Sequence, residues 1–442
     1  MSSERNVLEM ANDVIKVGEY IIVQKHNYKK FHKFNKPNSC LSLGRDSIDL
    51  SGIDGCKYSS TFKMIPKSNK KNKEYTLEIT DEIIGLKDEI DIKESGIDNR
   101  NIIDDGRSQK LSAAEIKELQ NDASKASDIV ETLITNSKTF HNKTEYSQEK
   151  YLRKKEKKYF EYLQILKPNL RMIAEIMYRL ESTKIQGIRI DTLSQMITMA
   201  NIYSEGTHLL YDSGSNGLIA AALLNAIGPN TSGKLIHMHP GNMSQKQALL
   251  AMNFPDEQLN RCTSVNVYSV LRQYYQGCDT NEHTDKISEG NLKRPASDNV
   301  EHNNKVPKLD NDQDANSDHR VIENSDLPEP KKPKWHFENI AASELLESKV
   351  DSLIIACKED PYNIFKELAQ FVKASRPFVV YYPVAEPLQQ MYVTLKSQSN
   401  VAALKLSCNW MRNYQVLPER THPEVTMNNA GGFLLSGYIL KQ

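Results

Sequence analysis

Two kinds of hydrophobic spacing divide the chain. Between about Gly18 and Thr80, short apolar runs, EYIIVQK, SCLSLG, SIDLSG, SSTFKMI and EYTLEIT, are separated by basic loops. Runs of this length with turn residues between them predict the strands of a small β-barrel or sandwich. After Asn99 the spacing becomes helical. Ser112 followed by Glu115 has the spacing of a capping box, in which each side chain satisfies a backbone N–H of the other residue. The pattern continues through ASDIVETLITNS into a long charged segment, TEYSQEKYLRKKEKKYFEYLQILKP.

Beyond about Met172 continuous apolar runs alternate with helical ones. HLLYDSG, KLIHMHP, VDSLIIAC and RPFVVYYP read as buried strands, and GLIAAALLNAI, SQKQALLAMN, PYNIFKELAQFVK and EPLQQMYVTLK as the helices among them. The last two runs, ALKLSCNWMRNYQVL and GGFLLSGYILK, have no helix between them and are expected to pair as an antiparallel ribbon at the sheet edge. A mostly parallel sheet ending in such a ribbon is the architecture of class I methyltransferases. The expected fold class is α/β plus β, an N-terminal small β-barrel followed by a degenerate class I methyltransferase (Rossmann-like) domain. The expected units are a barrel over 1–95, a helical connector over 96–170 carrying a basic helix, and a methyltransferase-like domain over 171–278 and 334–442. Residues 279–333 have lost nearly all aromatic and β-branched apolar positions and read as a disordered insertion.

Composition adjusts this picture little. A chain of 442 residues is long enough for two apolar cores. No stretch approaches the roughly 18 uncharged apolar residues of a membrane span. The early charges of MSSERNVLEMANDV leave no apolar segment for a secretory signal, so an intracellular protein is expected. Net charge is zero, so any nucleic-acid argument rests on local clustering of Lys and Arg. The six cysteines form no C-x-x-C pair and have no His at ligand spacing, which predicts scattered reduced thiols and no metal site.

In a doubly wound sheet the ligand sits at the carboxyl ends of the strands, and the first strand-to-helix turn must let it approach the backbone. That turn is Asp212-Ser213-Gly214-Ser215-Asn216-Gly217-Leu218. Against acidic-x-Gly-x-Gly-x-Gly only Asp212 and Gly214 match; Asn216 and Leu218 stand at the second and third glycine positions, where side chains are expected to intrude on S-adenosylmethionine. His239 stands at the end of the next strand, where a carboxylate would hold ribose hydroxyls. Ala356, followed by Cys357 and Lys358, stands where a nucleobase methyltransferase places the Asp of D-x-P to manage a ring proton. No catalytic or cofactor-binding residue is expected. A Rossmann-like protein of other ancestry is the alternative.

The densest basic cluster is Lys150-Tyr151-Leu152-Arg153-Lys154-Lys155-Glu156-Lys157-Lys158-Tyr159. Its cations read as spread over more than one helix face with tyrosines beside them, which suits a phosphate backbone with occasional stacking; a merely solvated helix is the alternative. Lys25, Lys29, Lys30, Lys33, Lys67, Lys70, Lys71 and Lys73 add cations to the barrel. Lys293-Arg294-Pro295 and Lys331-Lys332-Pro333-Lys334 have the form of clusters that nuclear import receptors read, or are simply solubilising.

The segments DNRNIIDDGRSQKLS, KTEYSQEKYLRKKEKKY, RIDTLSQMITMANI, SRPFVVYY and RNYQVLPERTHP together resemble the non-catalytic, RNA-binding subunit of the eukaryotic tRNA (adenine-58-N1)-methyltransferase. The resemblance spans nearly the whole chain outside the insertion. It implies a two-plus-two heterotetramer in the nucleus, with S-adenosylmethionine bound by a homologous catalytic subunit and tRNA gripped by this one. The tRNA-contacting stretches carried over are Asn99, Arg100, Asn101, Asp104, Asp105, Gly106, Arg107, Ser108 and Gln109, then Lys150, Tyr151, Arg153, Lys154, Lys155, Lys157, Lys158 and Tyr159. Lys184, Gln186, Lys358, Lys396, Gln415, Arg420 and His422 complete them. Glu156 departs from the basic run. A scaffold that stabilises the catalytic subunit without touching RNA, and an active methyltransferase with an atypical pocket, remain open.

Overall fold

The computed structural model describes residues 13–67, 73–80, 95–98, 100, 102, 108–122, 126–159, 161–277, 333–416, 421–425, 427 and 430–440. The expected insertion over 279–333 therefore lies almost wholly outside the described residues.

The first sheet has seven strands: β1 (Tyr20–Lys25), β2 (Tyr28–Lys33), β3 (Cys40–Leu43), β4 (Asp46–Asp49), β5 (Thr61–Pro66), β6 (Lys73–Thr80) and β7 (Tyr162–Leu166). Their order is β2-β1-β7-β5-β6-β4-β3, antiparallel except for the β4–β6 pair. One core gathers Ile21, Val23, Leu41, Ile48, Phe62, Met64, Tyr75, Leu163 and Ile165 from six of these strands, so the sheet bends around it. Among the described residues no ladder joins the end strands β2 and β3; the observed unit is a bent, nearly closed seven-stranded sheet.

Two of these strands depart from the sequence expectation. β2 was expected to be a basic loop, but YKKFHK turns back at His26 in the left-handed conformation and pairs along the whole of β1. Cations on such an end strand discourage pairing with another chain. β7 falls inside the stretch expected to be a helical connector, yet it is an inner strand of the sheet, bonded to β1 and β5. Its Leu163 and Ile165 face the core while Gln164 does not, and this period of two outweighs the helical run before it.

Helices α1 (Ala113–Asp122), α2 (Ala126–Thr135) and α3 (Glu145–Tyr159) lead into β7. The expected capping box opens α1, with Ser112 N–H donating to Glu115 Oε2 at 2.7 Å and Glu115 N–H to Ser112 Oγ at 3.3 Å. Leu152 of α3 packs with Val130 and Ile134 of α2 and with Phe140, so α3 is anchored through one face.

The second sheet runs β10-β9-β8-β11-β12-β16-β13. β8 (Thr207–Asp212), β9 (Lys234–His239), β10 (Cys262–Asn266), β11 (Ser352–Ala356) and β12 (Arg376–Tyr382) are parallel, and β16 (Phe433–Ile439) lies antiparallel between β12 and β13 (Val401–Cys408). The expected ribbon thus forms with β16 inside and β13 at the edge. Alternate residues feed opposite cores: Leu210, Ile354, Val379 and Tyr381 one way, Leu209, Tyr211, Ile355 and Val380 the other. The first core is covered by α4 (Leu170–Glu181), α5 (Ile190–Met199), α6 (Leu218–Ile227) and α7 (Gln247–Ala251). The second is covered by α9 (Val267–Gln276), α10 (Lys334–Glu347), α11 (Pro361–Leu368) and α12 (Glu386–Lys396), while the short α8 (Asp256–Asn260) precedes β10. The two units are tied where Asn253 exchanges hydrogen bonds of 2.8 and 2.7 Å with the backbone of Tyr20, and where the Arg179 guanidinium lies over the Tyr28 ring. Among the described helices none is long and apolar enough to cross a membrane.

Candidate nucleic-acid interface and cofactor cleft

At the end of β8, Asp212 is 5% exposed, bonded within its own turn and 3.8 Å from His237 Nε2. Its Oδ1 accepts from the backbone N–H of Gly214 at 2.9 Å and of Ser215 at 2.7 Å, and its Oδ2 accepts from the Ser215 hydroxyl. A Cβ placed on Gly214 would lie 2.6 Å from Cε and 2.8 Å from Nζ of Lys358. The end of the exposed Lys358 side chain therefore lies against the Gly214 backbone and sets a positive charge at the turn. Lys358 reaches it from the end of β11, where its N–H donates to Ser213 Oγ at 2.8 Å.

The next part of the turn is covered from the other side. Gly217 has a φ of +77°, and a Cβ there would lie 2.7 Å from the carbonyl oxygen of Gln245. Asn216 Nδ2 donates to Gln247 Oε1 at 2.6 Å, and Ala248 N–H to the Asn216 carbonyl at 3.1 Å. Segment 244–247 splits the former cleft in two. Gln245 and Gln247 face a recess of about 420 Å³ shared with Lys184, Gly214, Asn216 and Lys358. Ser244 and Lys246 face a second recess of about 780 Å³, beside His239.

Leu218 corrects the sequence expectation. It begins α6 and is fully buried in the first core, so its side chain points away from the cleft and does not obstruct a cofactor. Closure comes from Lys358 and from segment 244–247, long-range partners that no local motif announces.

His239 ends β9 and is buried, as is Ala356 at the end of β11. Burial pushes the His239 pKa down, so at neutral pH the ring is uncharged and offers no carboxylate to a ribose. S-adenosylmethionine does not fit these residues. The cationic donor would be set beside the Lys358 ammonium, and neither His239 nor Ala356 supplies the carboxylate that would hold it.

Buried neutral histidines have a consequence for stability. His208, which exchanges a 2.7 Å hydrogen bond with Ser352 Oγ, and His237 are both held below the ordinary value of 6.5 by burial, and Asp212 opposes this only partly at His237. With the folded pKa below the unfolded one, the unfolded chain binds more protons once the pH drops below about 6.5. The stabilisation is complete above that pH and is lost as pH falls toward the folded values. Unfolding free energy should therefore decline between about pH 6.5 and 5 by up to ~1.4 kcal/mol per pH unit per histidine. Equal denaturation midpoints across that interval would exclude the effect.

On α3, Lys150, Arg153, Lys154 and Lys158 are exposed, and their spacing puts them in one band along the helix. Arg153 also pairs with Glu149 at 2.8 Å. Lys155 lies beside the band, its Nζ 5.1 Å from the centre of the Tyr151 ring; burial, then Lys158 and Lys154, push its pKa down. The side chains of Lys157 and Tyr159 lie outside the described residues, as do Asn99, Asn101, Asp104, Asp105, Gly106, Arg107 and Arg420. Arg100 is exposed and paired with Asp98 at 2.6 Å. Ser108 accepts the Lys138 N–H on its carbonyl, while Gln109 donates to the Leu133 carbonyl at 3.0 Å and bridges Ser137, which is a structural role.

Lys184 and Lys358 meet in the smaller recess, and Gln186 stands beside them: its Nε2 is 3.3 Å from the Cβ position of Gly214 and its carbonyl accepts the Tyr381 hydroxyl at 2.7 Å. Lys396 is not brought to them. It ends α12, which runs back from the carboxyl end of β12, roughly 16 Å away along the helix axis. Gln415 and His422 pair with each other in a short hairpin of β14 (Tyr414–Gln415) and β15 (His422–Pro423).

The Gcd10p family model matches residues 14–316, more than half of the chain. The chain belongs to the Gcd10p family. Within it, the chain is 34% identical over 79% of its length, and 75% of the relative's, to the tRNA (adenine(58)-N(1))-methyltransferase non-catalytic subunit TRM6 of Mus musculus. It is 27% identical over 98% of its length, and 80% of the relative's, to the protein of that description from Dictyostelium discoideum. Among solved structures, tRNA (m1A58) methyltransferase TrmI from Aquifex aeolicus aligns with 97% of this chain and 100% of its own at 11% identity and a TM-score of 0.43, a likeness too slight to carry an argument. For this Gcd10p-family chain the filled turn is thus a feature of a chain whose named relatives are non-catalytic subunits.

Proposed function

We propose that this chain is the non-catalytic, tRNA-binding subunit of a tRNA (adenine-58-N1)-methyltransferase, working with a homologous catalytic subunit that holds S-adenosylmethionine. The observation that carries the reading is the altered turn and its surroundings: Lys358 lies against Gly214, Gln245 lies against Gly217, and His239 and Ala356 end β9 and β11 where carboxylates would be needed. Conversely, a cation where an enzyme holds acidic chemistry suits an RNA phosphate, and so does the exposed band of α3. The tRNA surface inferred here comprises that band with Lys155, the Lys184, Gln186 and Lys358 mouth, and Arg100 with the residues around it.

We also infer a two-plus-two assembly. It is supported by the exposed apolar side chains near the sheet edge, Trp410, Tyr414, Val416 and Val425, which a partner subunit would cover. The short basic clusters at 293–295 and 331–334 favour the nucleus. The nearly closed N-terminal sheet is inferred to be the wall of a small β-barrel, since six of its strands share one core.

The test separates the two subunits. The isolated chain should give no binding heat with S-adenosylmethionine and transfer no methyl group, whereas adding it to the catalytic subunit should restore methylation of tRNA. Micromolar donor affinity in the isolated chain would overturn the reading.

A further inference from the structure

The larger recess opens at the carboxyl ends of β9 and β10. Its rim carries two aromatic side chains left in solvent, Tyr268 in the first turn of α9 at 74% exposure and Trp335 in the first turn of α10 at 47%. Its floor is polar, with His239 and Asn339 lining it at 7% and 6% exposure. His239 Nδ1 is buried and has no hydrogen-bond partner. Lys246 and Glu338 complete the rim. Two large rings held in solvent at the mouth of a polar recess are a costly arrangement for a surface with nothing to bind.

We infer that this recess takes an unpaired nucleobase of the bound RNA, stacked on Tyr268 or Trp335 with its amino edge toward His239 and Asn339. The inference rests on the RNA-binding reading above and adds to it a base-sized site separate from the phosphate-seeking cations. Aromatic faces accept any base, because every base presents a π-face. The Asn339 amide lining the floor can accept or donate, and Lys246 stands where the nucleotide's phosphate could be met. The methyl donor is not an equivalent occupant, since His239 and Ala356 at the ends of β9 and β11 offer it no carboxylate.

The full chain in complex with its catalytic partner should be irradiated with tRNA and the cross-linked peptides mapped, alongside tRNA affinity of the double variant Tyr268→Ala, Trp335→Ala. Both side chains are exposed, and circular dichroism checks that the fold is kept. Cross-links at Tyr268 or Trp335, with affinity weakened roughly 5- to 150-fold and an unchanged salt slope, are expected for loss of one stacked base. Wild-type affinity in the double variant, with no cross-link at either ring, overturns the inference; if a Lys150→Ala, Lys154→Ala, Lys158→Ala variant is still weakened, the RNA-binding reading survives it. Wild-type affinity in both variants sinks the two together. Calorimetric binding of AMP that is lost in the double variant, with tRNA affinity unchanged, would assign the recess to a free nucleotide and equally overturn the RNA assignment.

Discussion

Replacing Lys150, Lys154 and Lys158 together by alanine should weaken tRNA binding by the assembled complex about a hundred-fold at physiological salt. The same variant should lower the slope of log K against log salt by about 2.7, since each phosphate contact releases roughly 0.9 counterion equivalents. The three lysines lie four residues apart on the exposed band of α3, while Leu152 holds the opposite face in the core with Phe140. Removing them should thus leave the fold intact. Lys155 is a different case: it lies against Tyr151 and is half-buried, so its loss would mix packing with charge. A variant with unchanged affinity and slope would mean that the chain stabilises its partner without gripping RNA through this helix.

Asp212→Ala should destabilise the isolated chain by about 3 to 5 kcal/mol, measured by denaturant unfolding, although no cofactor contact is lost. Two backbone N–H groups and one hydroxyl donate to this buried carboxylate. Alanine would leave these donors unsatisfied in a place water does not reach. An acidic residue kept for ribose or donor chemistry would show the reverse signature, normal stability with lost ligand affinity. A change under about 1 kcal/mol would mean the turn is held by other bonds.

Much of the second unit was legible because parallel strands covered on both sides must be apolar throughout, and HLLY, LIIA and FVVY stand out in any sequence. The first unit was harder. YKKFHK is polar enough to read as a loop, and YLQIL continues a helical run without punctuation, so neither β2 nor β7 signals itself without its partners. At the cofactor cleft the sequence showed which positions were altered but not how. Asn216 does sit in the altered turn, Leu218 serves the core, and the decisive obstruction comes from Lys358 and Gln245, which are distant from Gly214 and Gly217 along the chain. The gathering of Lys184 with Lys358 likewise depends on how the loop after α4 meets the end of β11.

The inner position of β7 bears on how the nascent polypeptide matures. β1 and β5 emerge early from the ribosome, but each must wait for residues 162–166 before its inner edge is bonded. Until then two separate groups of strands hold raw edges open to neighbouring chains. Because α3 runs almost directly into β7, completing the sheet also fixes the basic helix, so competence to meet an RNA would be acquired in the same event that seals those edges.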